Sequence, residues 1–316
     1  MTLNTQWRPT ATINNLQERA HLLDKVRQFF KQRSVMEVDT PLLAQAGNPA
    51  PYISQLTTQL NQQTYYLQTS PEFAMKRLLA AGSGPIYQLN KVFRDGEIGR
   101  YHQPEFTMLE WYQPGYTQAN MQQEIVQLLQ LVLPVQAYTS MSYEQLFQTY
   151  CGLHPLNSST AELQQYACYH GWASYDLELD HDGWLQLIMS QAIEPHLGRD
   201  KPYFVTDYPA SQAALARLNP QDSRWAQRFE LYYQGVELAN GFVELTDANT
   251  QRARFENEQK QRQQQGLPYI PLDEKFLASL QEGMPDCVGV ALGFDRMLML
   301  AAQVEHIEEV LPFTIS

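Results

Sequence analysis

Two β-rich runs, PIYQLNKVFR at 85–94 and PEFTMLEWYQ at 104–113, flank the polar, glycine-containing connection DGEIGRYHQ. Runs this close in sequence can pair only as an antiparallel hairpin, because parallel neighbours need a crossover of about a dozen residues or more. YYLQT at 65–69 reads as a further strand. Strand patterns return after Pro202 in YFVTDY, RFELYYQG and VELANGFVEL, and again in CVGVALGF at 287–294. From about Thr117 to Glu194 the pattern is helical instead. Strands split by a helical block predict an α+β fold, a mainly antiparallel sheet flanked by helices. One domain over 1–316 with a helical insertion at about 117–200 is the expected organisation.

Helix signals frame these strands. Apolar residues at Leu16, Ala20, Leu23, Val26 and Phe30 predict a helix over Leu16–Arg33, followed by an extended Val35–Val38 and the breaker Pro41. Pro71 suits the first turn of PEFAMKRLLAA. A very polar helix is expected over Asp247–Gln265, and CVGVALGF runs into the apolar helix DRMLMLAA. No membrane-length apolar stretch or secretory leader is legible, and three scattered cysteines argue against a disulfide framework or zinc site, so a cytoplasmic protein is expected. Net charge is −12, with 22 basic residues against 34 acidic ones. That balance opposes non-specific nucleic-acid binding. Lys91, Arg94, Arg100 and His102 nevertheless fall close together, a concentration of positive charge suited to a small anion.

Three segments carry chemistry. In the 93–112 segment an arginine, Arg94, ends one strand, and the return strand presents Phe106, Met108, Glu110 and Tyr112 on one face by alternation. Polar groups among bulky neighbours suggest a lined pocket, and a guanidinium there suits phosphate or carboxylate. Read alone, the segment is equally an edge hairpin with surface ion pairs. In VELANGFVELTDA, Asn240, Phe242 and Glu244 share a parity, and Glu230 and Glu237 add carboxylates able to hold Mg²⁺. Glu237 has the opposite parity from Glu244, so the two face one way only across a bulge, for which Gly241 is the candidate position. In GVALGFDRMLML, Gly289 and Gly293 permit close backbone approach, and Arg296 stands in the first turn of an otherwise apolar helix. Neither a Walker A nor a GxGxxG loop is present.

In this order the segments resemble the class II aminoacyl-tRNA synthetases, lysyl branch, over nearly the whole chain from about residue 16. Leu16–Leu43 resembles motif 1, the dimer-interface element; 93–112 resembles motif 2; and 289–300 resembles motif 3. The resemblance implies ATP and Mg²⁺ as cofactors, a homodimer, and catalysis by Arg94 on the α-phosphate and Arg296 on the γ-phosphate. It implies ATP contacts from Asp95, His102, Gln103, Phe106, Glu237, Leu238 and Gly293, with Glu230 and Glu237 as metal ligands. It implies an amino-acid pocket of Ser70, Pro71, Glu72, Glu110, Tyr112, Asn240, Phe242, Glu244 and Ala291. In that pocket Glu72 faces the substrate's α-amino group and Glu244 its distal ammonium.

Two departures narrow the expectation. Only about 15 residues precede motif 1, too few for the anticodon-binding domain of lysyl-tRNA synthetases, and Ala291 stands where those enzymes usually have glycine. Both features resemble short lysyl-type ligases whose acceptor is a lysine of elongation factor P, with (R)-β-lysine as the activated amino acid. The expected activity is thus ATP-dependent ligation to a protein, with no tRNA and no membrane partner. A truncated synthetase charging tRNA or a free acceptor is the alternative, and a silent paralogue acting as a binding module is a third possibility. Motif 2 reads Arg94-Asp95-Gly96 where the family has Arg-Asn-Glu, with Glu97 one position further on, and Gln103 replaces the usual asparagine. Both changes fall on adenine recognition.

Overall fold

A computed structural model describes residues 7–315. In chain order these form α1 (Ile13–Gln32), β1 (Met36–Glu37), β2 (Leu43–Ala44), β3 (Thr57–Leu60), β4 (Gln63–Leu67), α2 (Glu72–Ala80), β5 (Ile86–Phe93) and β6 (Glu105–Pro114). There follow α3 (Gln118–Leu129), β7 (Thr139–Ser142), α4 (Tyr143–Cys151), α5 (Thr160–Tyr169), α6 (His181–Ile188), β8 (Tyr203–Pro209), β9 (Trp225–Tyr233) and β10 (Val236–Val243). The chain ends with α7 (Ala248–Gln264), α8 (Glu274–Gly283), β11 (Cys287–Gly293) and α9 (Phe294–Ala301). Two compact units emerge. The first runs to Tyr116, takes in Leu131–Leu133 and resumes at Thr246, while the second comprises Thr117–Gln130 and Pro134–Leu245.

In the first unit the strand order is β1-β5-β6-β11, parallel between β1 and β5 and antiparallel elsewhere. The β5–β6 hairpin pairs Gln88 with Glu110 and Val92 with Phe106, while β11 sets Ala291 against Glu110 and Gly293 against Met108. Phe106, Met108, Glu110 and Tyr112 therefore share one face with Gln88, Asn90 and Ala291. The opposite face receives α1, whose Phe30 ring stacks on Tyr87 at 4.3 Å and meets the edge of Trp111 at 5.5 Å. The α1 stripe differs by one position from its predicted form: Leu22 and Phe29 are buried beside Val26 and Phe30, whereas Ala20 is exposed. Thr12 caps the helix by accepting from the Asn15 amide, so it starts one turn before Leu16.

A buried ion pair fastens these layers. Arg19 Nη1 donates to Asp295 Oδ1 at 2.6 Å and its Nη2 to Thr107 Oγ1 at 2.6 Å, while the Thr107 amide donates to Asp295 Oδ2. This network ties α1, β6 and α9 together directly behind the face carrying Glu110. A small second sheet, ordered β2-β4-β3, lies in the same unit. Its strands at 43–44 and 57–60 were not legible in sequence, being two polar or very short segments.

In the second unit the strand order is β10-β9-β8-β7, with β7 parallel to β8. Helices α3, α4 and α5 each begin in a capping box, at Thr117, Ser142 and Ser159. Tyr143, Phe147, Leu163, Trp184, Ile188 and Val205 form one buried cluster beneath α4, α5 and α6. The strand β7, a Ser/Thr-rich run, interrupts the stretch read from sequence as helical.

Candidate active site

Start at the head of α2. Pro71 fixes the entry to the helix, and the Ser70 hydroxyl accepts from the Glu72 amide, satisfying one of the first-turn donors. The same hydroxyl donates to Glu110 Oε2 at 2.7 Å, and Tyr112 donates its phenolic proton to Glu110 Oε1 at 2.6 Å. One turn along α2, Lys76 lies fully buried with its Nζ 2.5 Å from Glu72 Oε1. Burial, and then the negative charge of Glu72, push the Glu110 carboxyl up to about 7. A cavity of about 500 Å³ opens on this corner, lined by Ser70, Glu72, Tyr65, Tyr66, Leu43 and Lys275 among others.

Four residues along the same strand face, about 13 Å away at strand rise, the chemistry reverses sign. Arg94 places its guanidinium 5.3 Å from the centre of the Phe106 ring, with Glu97 3.6 Å from its Nη1. The Arg94 Nε is buried and meets no hydrogen-bond partner among the described residues, as does Gln103 Oε1 nearby in sequence. Arg296 donates through Nε to the Tyr101 carbonyl and through Nη2 to His102 Nε2 at 2.7 Å. Burial, reinforced by Arg296, holds the His102 imidazole below its ordinary pKa, so it is a neutral acceptor at pH 7 with its proton on Nδ1. A Cβ at position 293 would lie 3.3 Å from Arg296 Cδ, a tight contact against a flexible side chain.

The anticipated concentration of positive charge is not what forms. Lys91 pairs with Glu105 at 3.5 Å, and Arg100 lies 4.0 Å from Glu305 and donates to its carbonyl. Arg94 stands beside Phe106 with Glu97 near its guanidinium, and Arg296 reaches the Tyr101–His102 turn, so two arginines bear on the motif 2 connection.

In the second unit one face of β9 and β10 gathers polar groups. Glu230, nearly buried, accepts from Tyr208 at 2.6 Å and Tyr232 at 2.7 Å on Oε2, and from Arg228 at 2.5 Å and Asn240 at 3.3 Å on Oε1. Burial and the Glu230 charge keep both phenols far above their usual pKa, so they remain donors. The bulge does occur, but at Leu238 rather than Gly241: Glu237 pairs with Tyr232 and Ala239 with Leu231. The extra residue turns Glu237 onto the face of Glu230, Asn240 and Phe242. Gly241 is needed for another reason, since a Cβ there would meet the Phe229 ring at 2.2 Å. Glu244 is buried just beyond β10, bridged to Ala216.

Comparison with known proteins decides the family. The description "tRNA synthetases class II (D, K and N)" matches residues 4–316. The chain belongs to these class II tRNA synthetases. Among its relatives, the elongation factor P–(R)-β-lysine ligase of Avibacterium paragallinarum is 48% identical over 98% of this chain and 98% of its own length. Proteins of the same name from Proteus mirabilis and Haemophilus influenzae are 47% and 46% identical, covering 98% and 100% of this chain and 97% and 99% of theirs.

Within the class II synthetase frame, the residues fit nucleotide and metal unequally. The open Arg94 Nε beside an aromatic ring suits a phosphate ester carrying a base. Glu237 is only partly buried, whereas all four lone-pair directions of Glu230 are taken by donors. Magnesium would therefore be held first by Glu237, with Glu230 joining only as a donor withdraws. Asp95 is exposed, with its amide donating to the Ser54 carbonyl, and Gly96 adopts φ +76°. Sequence reasoning overlooked Lys76, Arg228, Tyr208, Tyr232, Gln88 and Asn90. The two amides share the Glu110 face, and their side-chain atoms are buried without partners among the described residues. Their period-2 spacing with Arg94 was the available signal.

Proposed function

We propose that the chain activates a lysine-like amino acid, (R)-β-lysine on the name its relatives carry, and transfers it to a lysine of elongation factor P. The observation that carries this reading is the division of one sheet face into a guanidinium end at Arg94 and an acidic end at Ser70, Glu72 and Glu110. A phosphate with an attached base suits the first, and an ammonium suits the second. The substrate carboxylate attacks the α-phosphorus of ATP, forming a mixed anhydride and releasing pyrophosphate. The acceptor amine then attacks the carbonyl and AMP departs. Arg94 and Arg296 neutralise charge developing on the phosphates, and no protein nucleophile is needed. Magnesium supplies charge neutralisation and orientation of the phosphates when bound. In this reading Ala291, opposite Glu110, shapes the floor of the amino-acid pocket, and Asn240, Phe242 and Glu244 keep the substrate-binding role that the family resemblance implies.

We read the chain as a single catalytic domain, since one family description matches residues 4–316. We place the enzyme in the cytoplasm; among the described residues no helix is long and apolar enough to cross a membrane. A homodimer joined through α1 and the strands that follow accounts for the exposed Met36, Leu42 and Leu43; sedimentation of a fully active monomer would remove it. The activity itself is tested by pyrophosphate exchange with α-lysine and β-lysine, followed by transfer from the preformed adenylate. Exchange with neither amino acid overturns the reading. Labelling of tRNA in place of protein promotes the truncated synthetase.

A further inference from the structure

The head of α2 holds a charge that the reaction does not call for. Lys76 is fully buried, and a buried ammonium is expensive unless it is paired. Its partner is Glu72, one helical turn earlier, at 2.5 Å, and its Nζ lies 5.9 Å from the centre of the Phe276 ring. Phe276 is stacked on Phe73 at 4.7 Å with the rings 4° from parallel, so the ring nearest the ammonium belongs to an aromatic pair joining α2 and α8. Ser70 joins the pair to Glu110 by donating to that carboxylate while accepting from the Glu72 amide. The groups facing Glu110 are thus Glu72 and Lys76 from α2, Tyr112 from β6, the neutral Gln88 from β5 and Ala291 from β11. Arg77, next along α2, is exposed.

We infer that Lys76 is a positioning residue that fixes Glu72 and leaves the Glu72–Glu110 pair with one net negative charge, matched to a single ammonium of the amino acid. This rests on the amine-binding reading of Glu72 and Glu110. Without Lys76 the two carboxylates would compete, and one would take up a proton in place of the ligand. The clamp also holds Glu72 in a single rotamer by a contact within its own helix, so the carboxylate is aimed before any substrate arrives.

The test is pyrophosphate exchange with the full chain across pH 6–9, comparing wild type, Lys76→Met and the double variant Glu72→Gln/Lys76→Met. Methionine is close to the lysine stem in volume and is apolar, as a fully buried position requires. Lys76→Met is expected to raise the amino-acid KM at pH 7, about tenfold for each pH unit by which the midpoint of its pH profile moves up. The KM for ATP should stay within about twofold, because the nucleotide end is untouched. The double variant retains one carboxylate, and its midpoint is expected to return to the wild-type value or below. An unchanged midpoint in Lys76→Met, or equal losses for ATP and amino acid, overturns the inference. Should that variant fail to fold, the double variant decides, since a midpoint displaced upward there overturns it equally. Absence of exchange in the wild type would instead remove the functional reading beneath it.

Discussion

Glu110 is held where burial and function pull in opposite directions. Its carboxyl is pushed from an ordinary 4.5 to about 7, first by burial and then by Glu72. Between those values the folded protein holds the proton that the unfolded chain releases, so the group's contribution to stability falls as pH rises through this window and stays low above it. The ligand-free protein should lose roughly 3 kcal/mol of stability from this group between pH 4.5 and 7. Urea titrations of wild type and Glu110→Gln check it, and parallel slopes with pH would show that the carboxyl does not titrate this way. On the proposed role of Glu110 as the carboxylate that meets the substrate ammonium, binding runs the other way: an ammonium needs the ionised form, so the amino-acid KM should fall as pH rises through 7. At the opposite end of the face, Arg296→Ala should lower exchange by about 3 kcal/mol of transition-state stabilisation, the usual cost of one preorganised charge contact. Its loss also frees His102, and full exchange in the variant would cancel the phosphate role.

Among the elements, β10 shows best what a sequence can and cannot disclose. Alternation put Asn240 and Phe242 on one face, and pairing with Glu230 and Arg228 places them there. Alternation could not say where the count slips. The slip falls at Leu238, an apolar residue with no local signature, whereas Gly241, the visible candidate, is a glycine because Phe229 packs on it. Gly241→Ala should therefore cost about 1–3 kcal/mol by overpacking and loosen Asn240 from Glu230, read as a lower urea midpoint with an unchanged m value; a midpoint equal to wild type would mean that Phe229 moves aside freely. The β5–β6 hairpin and the β11–α9 junction were legible because hydrophobic alternation and a charged residue in an apolar turn are strong local signals. Lys76 was not: inside PEFAMKRLLAA it reads as an ordinary helix cation, and only tertiary packing of α2 with Phe276 buries it. Arg228, Tyr208 and Tyr232 were missed for a related reason, since their role is to satisfy one carboxylate that sequence treated as available to metal.

At the scale of the whole molecule, charge bears on the acceptor. Between Arg100 and Arg199 the sequence contains no lysine and no arginine, while Glu144, Glu162, Asp176, Glu178, Asp180 and Asp182 fall in that interval. The helices α4, α5 and α6 thus offer a phosphate backbone no cation but histidine. A polynucleotide acceptor would need several Lys or Arg contacts, each adding to the salt dependence of binding. A folded protein needs only to bring one lysine to the adenylate, and its own basic residues could meet an acidic surface. That amine attacks uncharged, so transfer should rise with pH until activation becomes limiting. The comparison supplies elongation factor P and unfractionated tRNA to the same preformed adenylate, at low salt and again near physiological salt. Labelled protein at both salt concentrations, with tRNA unlabelled, is the expected result. Rapid tRNA charging that collapses with added salt, with no labelled protein, would show that a phosphate-binding surface exists and that the acceptor is nucleic acid.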